Sequence, residues 1–214
     1  MAGPSPEPNT SHPQAPNFPT RSAVENSDAV DTIPTKGPYI STVLVTDLIQ
    51  PAATPPFDAW AFRRAIGGCA SGIAVVTAVS DAPVGMTCQS FCSVSLDPPL
   101  VAFSPSRTSS CYAAIRAAGR FCINVLASEQ HEISDQFARP GTDKWAGVDW
   151  TPSELGNPVI DGALLRVDCV LEAEHEAGDH YIVVGRVNDL ELRDDSSSAL
   201  VYFRGRYTSA GHGD

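Results

Sequence analysis

Two stretches of this chain carry residue types whose spacing suits them to hold a ligand. The first is Gly85-Met86-Thr87-Cys88-Gln89-Ser90-Phe91-Cys92-Ser93-Val94-Ser95-Leu96-Asp97-Pro98-Pro99. A strand rich in small hydroxylic residues has little side-chain bulk and leaves its backbone donors and acceptors open. A flat heterocycle can lie against it and have its polar edge hydrogen-bonded. A strand whose Ser and Thr merely face water has the same composition. The second is Ser104-Pro105-Ser106-Arg107-Thr108-Ser109-Ser110, a loop that runs into a helix start. Free amides and the positive end of the helix dipole favour an anion there, and Arg107 and the hydroxyls add charge and donors. An ordinary hydroxyl cap beside a solvated arginine is the alternative.

Other chemistry is scarcer. The histidines are His12, His131, His175, His180 and His212. His12 and His212 fall in tails, and His131 lies on a polar helix face. His175 and His180 flank a hairpin tip at Gly178-Asp179, with no third ligand at an obvious spacing, so no metal site is expected. No G-x-G-x-x-G joins a strand to a helix and no G-x-x-x-x-G-K-[ST] occurs, so a nucleotide cofactor would bind by another route. Cys69, Cys88, Cys92, Cys111, Cys122 and Cys169 form no CxxC pair and are expected as small buried hydrophobes.

The elements that must position these residues follow from pattern. Asp58 caps a short helix, Ala59 to Ile66, stopped by Gly67-Gly68. A β-branched strand runs from Gly72 to Val79, a second from Val84 to about Val94, and a third over Leu100–Phe103. Helices are expected over Ser109–Ala118, with Gly119 as the stop, and over Ser128–Ala138, with the strand Phe121–Leu126 between them. The last third reads as strands Leu164–His175, His180–Leu192 and Ala199–Arg204. Strands joined by short turns outnumber helices, which predicts an antiparallel barrel with flanking helices rather than βαβ units.

Residues 1–56 hold 11 of the 18 prolines and read as a largely disordered extension, with Tyr39–Val45 as a strand-like exception. Residues 57–208 read as the folded domain and 209–214 as a tail. The net charge of -11 argues against nucleic acid and against anionic membranes, while still allowing a small basic pocket. No apolar run approaches the roughly 20 residues of a membrane helix, and no secretory signal opens the chain, so a cytoplasmic protein is expected.

These segments, taken in order, resemble the short-chain flavin reductases, the small partners of two-component flavin-dependent monooxygenases. The likeness runs from about Phe57 to Thr208 and includes Phe62-Arg63-Arg64, Gly72-Ile73-Ala74-Val75-Val76-Thr77, the Ser-rich strand, Gly119 to Leu126, Gly178-Asp179-His180 and Tyr202 to Tyr207. It implies a mainly β split barrel of the FMN-binding type, forming a homodimer. It also implies FMN or FAD, NADH or NADPH as electron donor, and a separate monooxygenase that receives the reduced flavin. By the same resemblance Thr87, Cys88, Gln89, Ser90 and Phe91 would lie along the isoalloxazine, and Ser93 and Val94 would continue that wall. Arg107, Thr108, Ser109 and Ser110 would approach the flavin phosphate. His180, as the residue nearest the chemistry, and Tyr202, Phe203, Arg204 and Gly205 would border the nicotinamide. Two other readings stay open: an oxidoreductase with permanently held flavin that acts on another substrate, and a flavin-binding module without catalysis.

Overall fold

The computed structural model describes residues 54–193 and 197–211. The expectations for the Pro-rich extension up to residue 53, for Tyr39–Val45, for His12 and for His212 lie outside the described residues. Helix α1, Ala59–Ile66, starts where Asp58 Oδ1 accepts the Ala61 amide at 2.7 Å. Among the described residues nothing buries the apolar side chains on and beside it: Phe57, Trp60, Phe62 and Ile66 are all exposed.

The first expected strand is two, β1 at Ser71–Gly72 and β2 at Ala74–Val79. The break comes at Ile73, which bonds outward to Leu200 and Leu126 while β2 turns to other partners. The second expected strand is also two, β3 at Pro83–Cys88 and β4 at Cys92–Leu96. It breaks at Gln89-Ser90-Phe91 because the halves pair in opposite places. β3 pairs β2, whereas β4 pairs β5, Pro99–Phe103.

Beyond them come α2, Ser110–Ala118, β6, Arg120–Val125, and α3, His131–Ala138. The expected start of α3 at Ser128 is a separate 3-10 turn, Ser128–Gln130. Short strands β7, Trp150–Pro152, and β8, Pro158–Ile160, precede the long hairpin of β9, Leu165–Ala177, and β10, His180–Leu192. A last hairpin joins β11, Ala199–Phe203, to β12, Arg206–Ala210. The main sheet has seven strands in the order β3-β2-β6-β9-β10-β5-β4, and β1, β11 and β12 form a second sheet. The fold is thus mainly β with flanking helices, and its sheets do not close into a full barrel.

β2 is buried on both faces. Ala74, Val76 and Ala78 join Phe103, Tyr112, Phe121 and Ile123 in the larger core. Val75 and the neighbouring Ile73 join Leu126, Phe137 and Ile160 in a second core beneath α3. Cys88, Cys122 and Cys169 are buried as expected, but Cys69 and Cys92 are exposed and Cys111 is half-buried. Cys69 follows the end of α1 and Cys92 lies on an edge strand, so apolar sequence neighbours did not imply burial.

Gly185 shows how closely the sheet is packed. A Cβ built there would stand 2.5 Å from the Phe121 ring and 3.1 Å from Cys169 Cβ. Both neighbours belong to fully buried side chains, so neither yields cheaply. Gly185→Ala is expected to lose about 1–3 kcal/mol by overpacking. Urea unfolding would read this, and an unchanged midpoint would refute it.

Candidate functional site

The site is built around a cleft of about 640 Å³ between β3, the start of α2 and the 138–145 segment after α3. Helix α2 begins there because Ser109 leaves its helical conformation and its Oγ accepts the Tyr112 amide at 3.2 Å. This places Thr108, Ser109 and Ser110 on the cleft wall, with their hydroxyls beside the positive end of α2. Opposite them β3 presents Val84, Gly85, Met86 and Thr87. Gly85 lets Phe137 press against the back of the strand, since a Cβ there would meet Phe137 Cε1 at 2.5 Å. Thr87 Oγ1 donates to the Ser134 carbonyl at 2.6 Å, which ties β3 to α3.

Lys144 is the cation of this cleft. Its Nζ donates to the Phe137 carbonyl at 2.7 Å and the Gly85 carbonyl at 3.2 Å, and lies 3.4 Å from Cys111 Sγ. Sequence reasoning missed it because it lies in a loop with no periodicity. A signal was present: in an acidic chain with a single lysine after residue 36, this one sits in Asp143-Lys144-Trp145.

The turn between β3 and β4 continues the wall. Ser90 Oγ accepts the Ser104 amide at 2.8 Å and lies 3.1 Å from Cys88 Sγ. Gln89 is exposed, 3.5 Å from Ser71 Oγ, while Phe91 packs partly into the larger core. Ser93 and Val94 follow on the exposed edge strand β4.

Arg107 points elsewhere. Its guanidinium bonds both carboxylate oxygens of Glu176 at 3.3 Å and covers the Tyr181 ring at 5.5 Å, so it ties the loop to the β9–β10 hairpin and does not line the cleft. The same hairpin carries His180. Its tip is joined to the loop by Arg107 N donating to Asp179 O at 3.0 Å and Tyr181 N donating to Pro105 O at 2.9 Å, with His180 bridged to Ser106. His180 Nδ1 lies 2.8 Å from Asp179 Oδ1, and this bond and the imidazole charge hold the Asp179 carboxyl below its ordinary range. Behind the tip, Tyr112 bonds Glu174, which also pairs Arg116 at 3.0 Å. Burial, then the hydrogen bond to Glu174, pushes the Tyr112 phenol far above its ordinary value.

The structure therefore brings Thr87, Thr108, Ser109 and Ser110 into one cleft, with Cys88 to Phe91 and His180 attached to its rim loops. Tyr202, Phe203, Arg204 and Gly205 do not line it. Tyr202 pairs Ser71 across the second sheet, and Arg204 N donates to Gly67 O at 2.9 Å, which sets the β11–β12 turn against α1. Among the described residues no group of His, Cys, Asp and Glu could hold a metal ion.

The sequence pattern of the flavin reductase like domain matches residues 66–211. The chain belongs to this family. Within it, the flavin reductase-like chain is 46% identical over 153 residues to the reductase subunit HsaB of a flavin-dependent monooxygenase from Mycobacterium tuberculosis, covering 71% of this chain and 82% of that protein. It is 46% identical over 134 residues to the Agrobacterium fabrum NADH-dependent FMN reductase SmoA, covering 62% and 76% of the two. Among solved structures it is similar to nitrilotriacetate monooxygenase component B from Mycobacterium thermoresistibile, with TM-score 0.69 and 43% identity over 71% of this chain and 86% of that one. The residues matched by the family pattern, 66–211, include all three walls of the cleft. No helix of the described part of this reductase-like chain is long and apolar enough to cross a membrane.

Proposed function

We propose that this chain is an NAD(P)H:flavin oxidoreductase that supplies reduced FMN or FAD to a separate monooxygenase. The observation that carries the reading is that Lys144 and the start of α2 line the same cleft. A lysine and a helix start lined with hydroxyls form a donor set that suits a phosphate. The backbone of β3 and the Cys88–Ser90 turn continues from that point as a wall for a flat ring. The cleft volume falls in the range of roughly 300–1,000 Å³ that small-molecule sites occupy. The relatives' names, a monooxygenase reductase subunit and an NADH-dependent FMN reductase, agree with it.

When bound, the cofactors supply the chemistry, a hydride passing from nicotinamide to flavin. This chain's residues bind and orient. Lys144, Thr108, Ser109 and Ser110 hold the phosphate end. Backbone amides of Thr87–Ser90 face the ring's polar edge, where negative charge grows on reduction. Ser93 and Val94 extend that wall along β4. His180, carried by a hairpin tied to the phosphate loop, borders the nicotinamide side, and Arg107 fixes that hairpin in place. No acid–base pair is required.

A homodimer accounts for the apolar surface left outside. Leu96 is 95% exposed on edge strand β4, and Phe57, Phe62 and Ile66 are exposed on and beside α1. Phe57 and Phe62 stack at 6.0 Å, and a second copy would cover these exposed apolar residues. The unpaired cysteines suit a reducing cytoplasm. Residues 57–208 form the catalytic unit in this reading.

The test is anaerobic mixing of the protein with NADH or NADPH and either FMN or FAD. Saturable bleaching of the oxidised-flavin absorbance is expected. Tight flavin binding with no bleaching by either donor would overturn the proposal.

A further inference from the structure

Eleven arginines lie among the described residues, and six of them pair with a carboxylate: Arg107, Arg116, Arg139, Arg166, Arg186 and Arg193. Arg120 is half-buried in β6. The remaining four, Arg63, Arg64, Arg204 and Arg206, are exposed, and all sit on α1 or the β11–β12 hairpin. In a chain of net charge -11, carboxylates are plentiful. Four guanidiniums gathered without one are therefore a feature to be explained.

Three of them converge on one hollow of about 750 Å³, with Trp60, Gly67 and Gly68. Helical spacing brings them there. Trp60, Arg63, Arg64 and Gly67 stand at i, i+3, i+4 and i+7 and share one face of α1. Phe62 and Ile66 point the other way, so this face stays free if the apolar one is covered by a second copy. Arg204 is added from the facing hairpin, held by its amide bond to Gly67 O. Among the described residues no Asp or Glu lines the hollow. Trp60 is 67% exposed and the Arg64 guanidinium lies 5.3 Å from its ring centre.

The backbone at Arg204 adds a second, independent observation. Phe203 and Arg206 are paired, so Arg204 and Gly205 form a two-residue hairpin turn, with φ of 49° and 78°. Both central residues of such a turn need positive φ, which Asn, Asp or Gly adopt most easily. Among the described residues Arg204 is the one non-glycine with positive φ. Strain of this kind gathers at ligand-binding positions. The hollow also lies within electrostatic reach of the His180 hairpin. The Asp179 carboxyl is lowered first by His180 and, more weakly, by Arg63.

We propose that this groove holds the adenosine diphosphate moiety shared by FAD and the nicotinamide donors. Trp60 stacks the adenine, and Arg63, Arg64 and Arg204 pair the diphosphate, with bare backbone at Gly67 and Gly68 allowing close approach. The assignment extends the reductase reading and rests on it for the identity of the ligand.

The probe is ADP, titrated calorimetrically into the full chain and into Trp60→Ala and Arg64→Ala/Arg204→Asn variants. Both arginines are exposed, and asparagine suits the turn, so the double variant keeps its fold; an unchanged melting temperature verifies this. ADP should bind the wild type and lose at least about tenfold in the double variant, the scale of a lost charged hydrogen bond. Steady-state kinetics then identify the source. In the double variant KM for FAD should rise about tenfold more than KM for FMN, or KM for NADH about tenfold more than KM for reduced nicotinamide mononucleotide. Absence of ADP binding to the wild type, equal ADP affinity in the variant, or equal KM changes for all four cofactors would overturn the groove. If ADP binding follows the arginines but no donor reduces flavin, the reductase reading falls and the groove stands.

Discussion

Replacing Asp168 with alanine should lower stability by about 2–4 kcal/mol, since it leaves buried donors facing an empty space. In a domain of this size that is a fall in Tm of roughly 6–12 °C. Asp168 lies on β9 opposite Cys122 and is fully buried. One carboxylate oxygen accepts the Asn157 amide at 2.8 Å and the other accepts Leu155 N at 3.2 Å. Both donors belong to the short connection between β7 and β8, residues 153–157, so a single side chain pins that loop to the sheet. Next to it, Asn124 donates to the Val75 and Pro158 carbonyls and accepts from Ile160 N at 2.8 Å. The loop thus has polar anchors where it has few apolar ones. The buried charge also acts on its neighbour: burial first, and Asp168 next, pushes the Cys122 thiol up to about 12. Asp168→Asn keeps the volume and one acceptor and should fall between wild type and alanine. Chemical denaturation decides the matter. A loss below about 0.5 kcal/mol, the ordinary scale of a surface substitution, would mean that the loop is held by something else.

Lys144→Met should weaken flavin binding by about tenfold to a hundredfold. The range follows from about 1.5–3 kcal/mol for a hydrogen bond to a charged group. Methionine preserves the stem and removes the charge. It also strips donors from the Phe137 and Gly85 carbonyls, so a modest loss of stability should accompany the loss of affinity. The two effects separate by ligand. Charge at a phosphate site predicts a large drop for FMN and almost none for riboflavin, which shares the ring and lacks the phosphate. Fluorescence titration of both ligands reads this. Equal losses for FMN and riboflavin would show that Lys144 only shapes the cleft.

Much of this was legible in the residues, for identifiable reasons. Asp58 and Ser109 are helix caps whose side chains make their bonds within one turn, and Gly119 adopts φ of 67° where the helix stops. Local chemistry of this kind survives translation from sequence. The hairpin tip at Gly178-Asp179 is local in the same sense. Partner choice is not. Nothing in Val84 to Val94 marks where one strand leaves β2 and the next begins to pair β5. Three-residue strands β7 and β8 offer no periodicity, and the polar Arg206–Ala210 strand is set by the turn before it. At the site, the hydroxyl loop announced itself, whereas Lys144 and Gly85 matter through neighbours distant in sequence. Arg107 carried the right charge but found Glu176 across the hairpin.

The β9–β10 hairpin occupies the middle of the seven-stranded sheet, between β6 on one side and β5 on the other. The hairpins β2–β3 and β4–β5 close over short stretches of chain, and so does β9–β10 itself. The pairing of β5 with β10 instead joins residues about eighty positions apart, as Phe103 with Val183 shows. Closing so long a loop costs entropy before any contact rewards it, and such contacts govern folding rate. The central hairpin thus joins the two flanks of the sheet, and its contact with β5 is the less local of its two borders. Its tip carries His180 and its flank holds Arg107, so the pairing that completes the sheet also sets the histidine against the phosphate loop. The site is assembled only where that distant pairing is made.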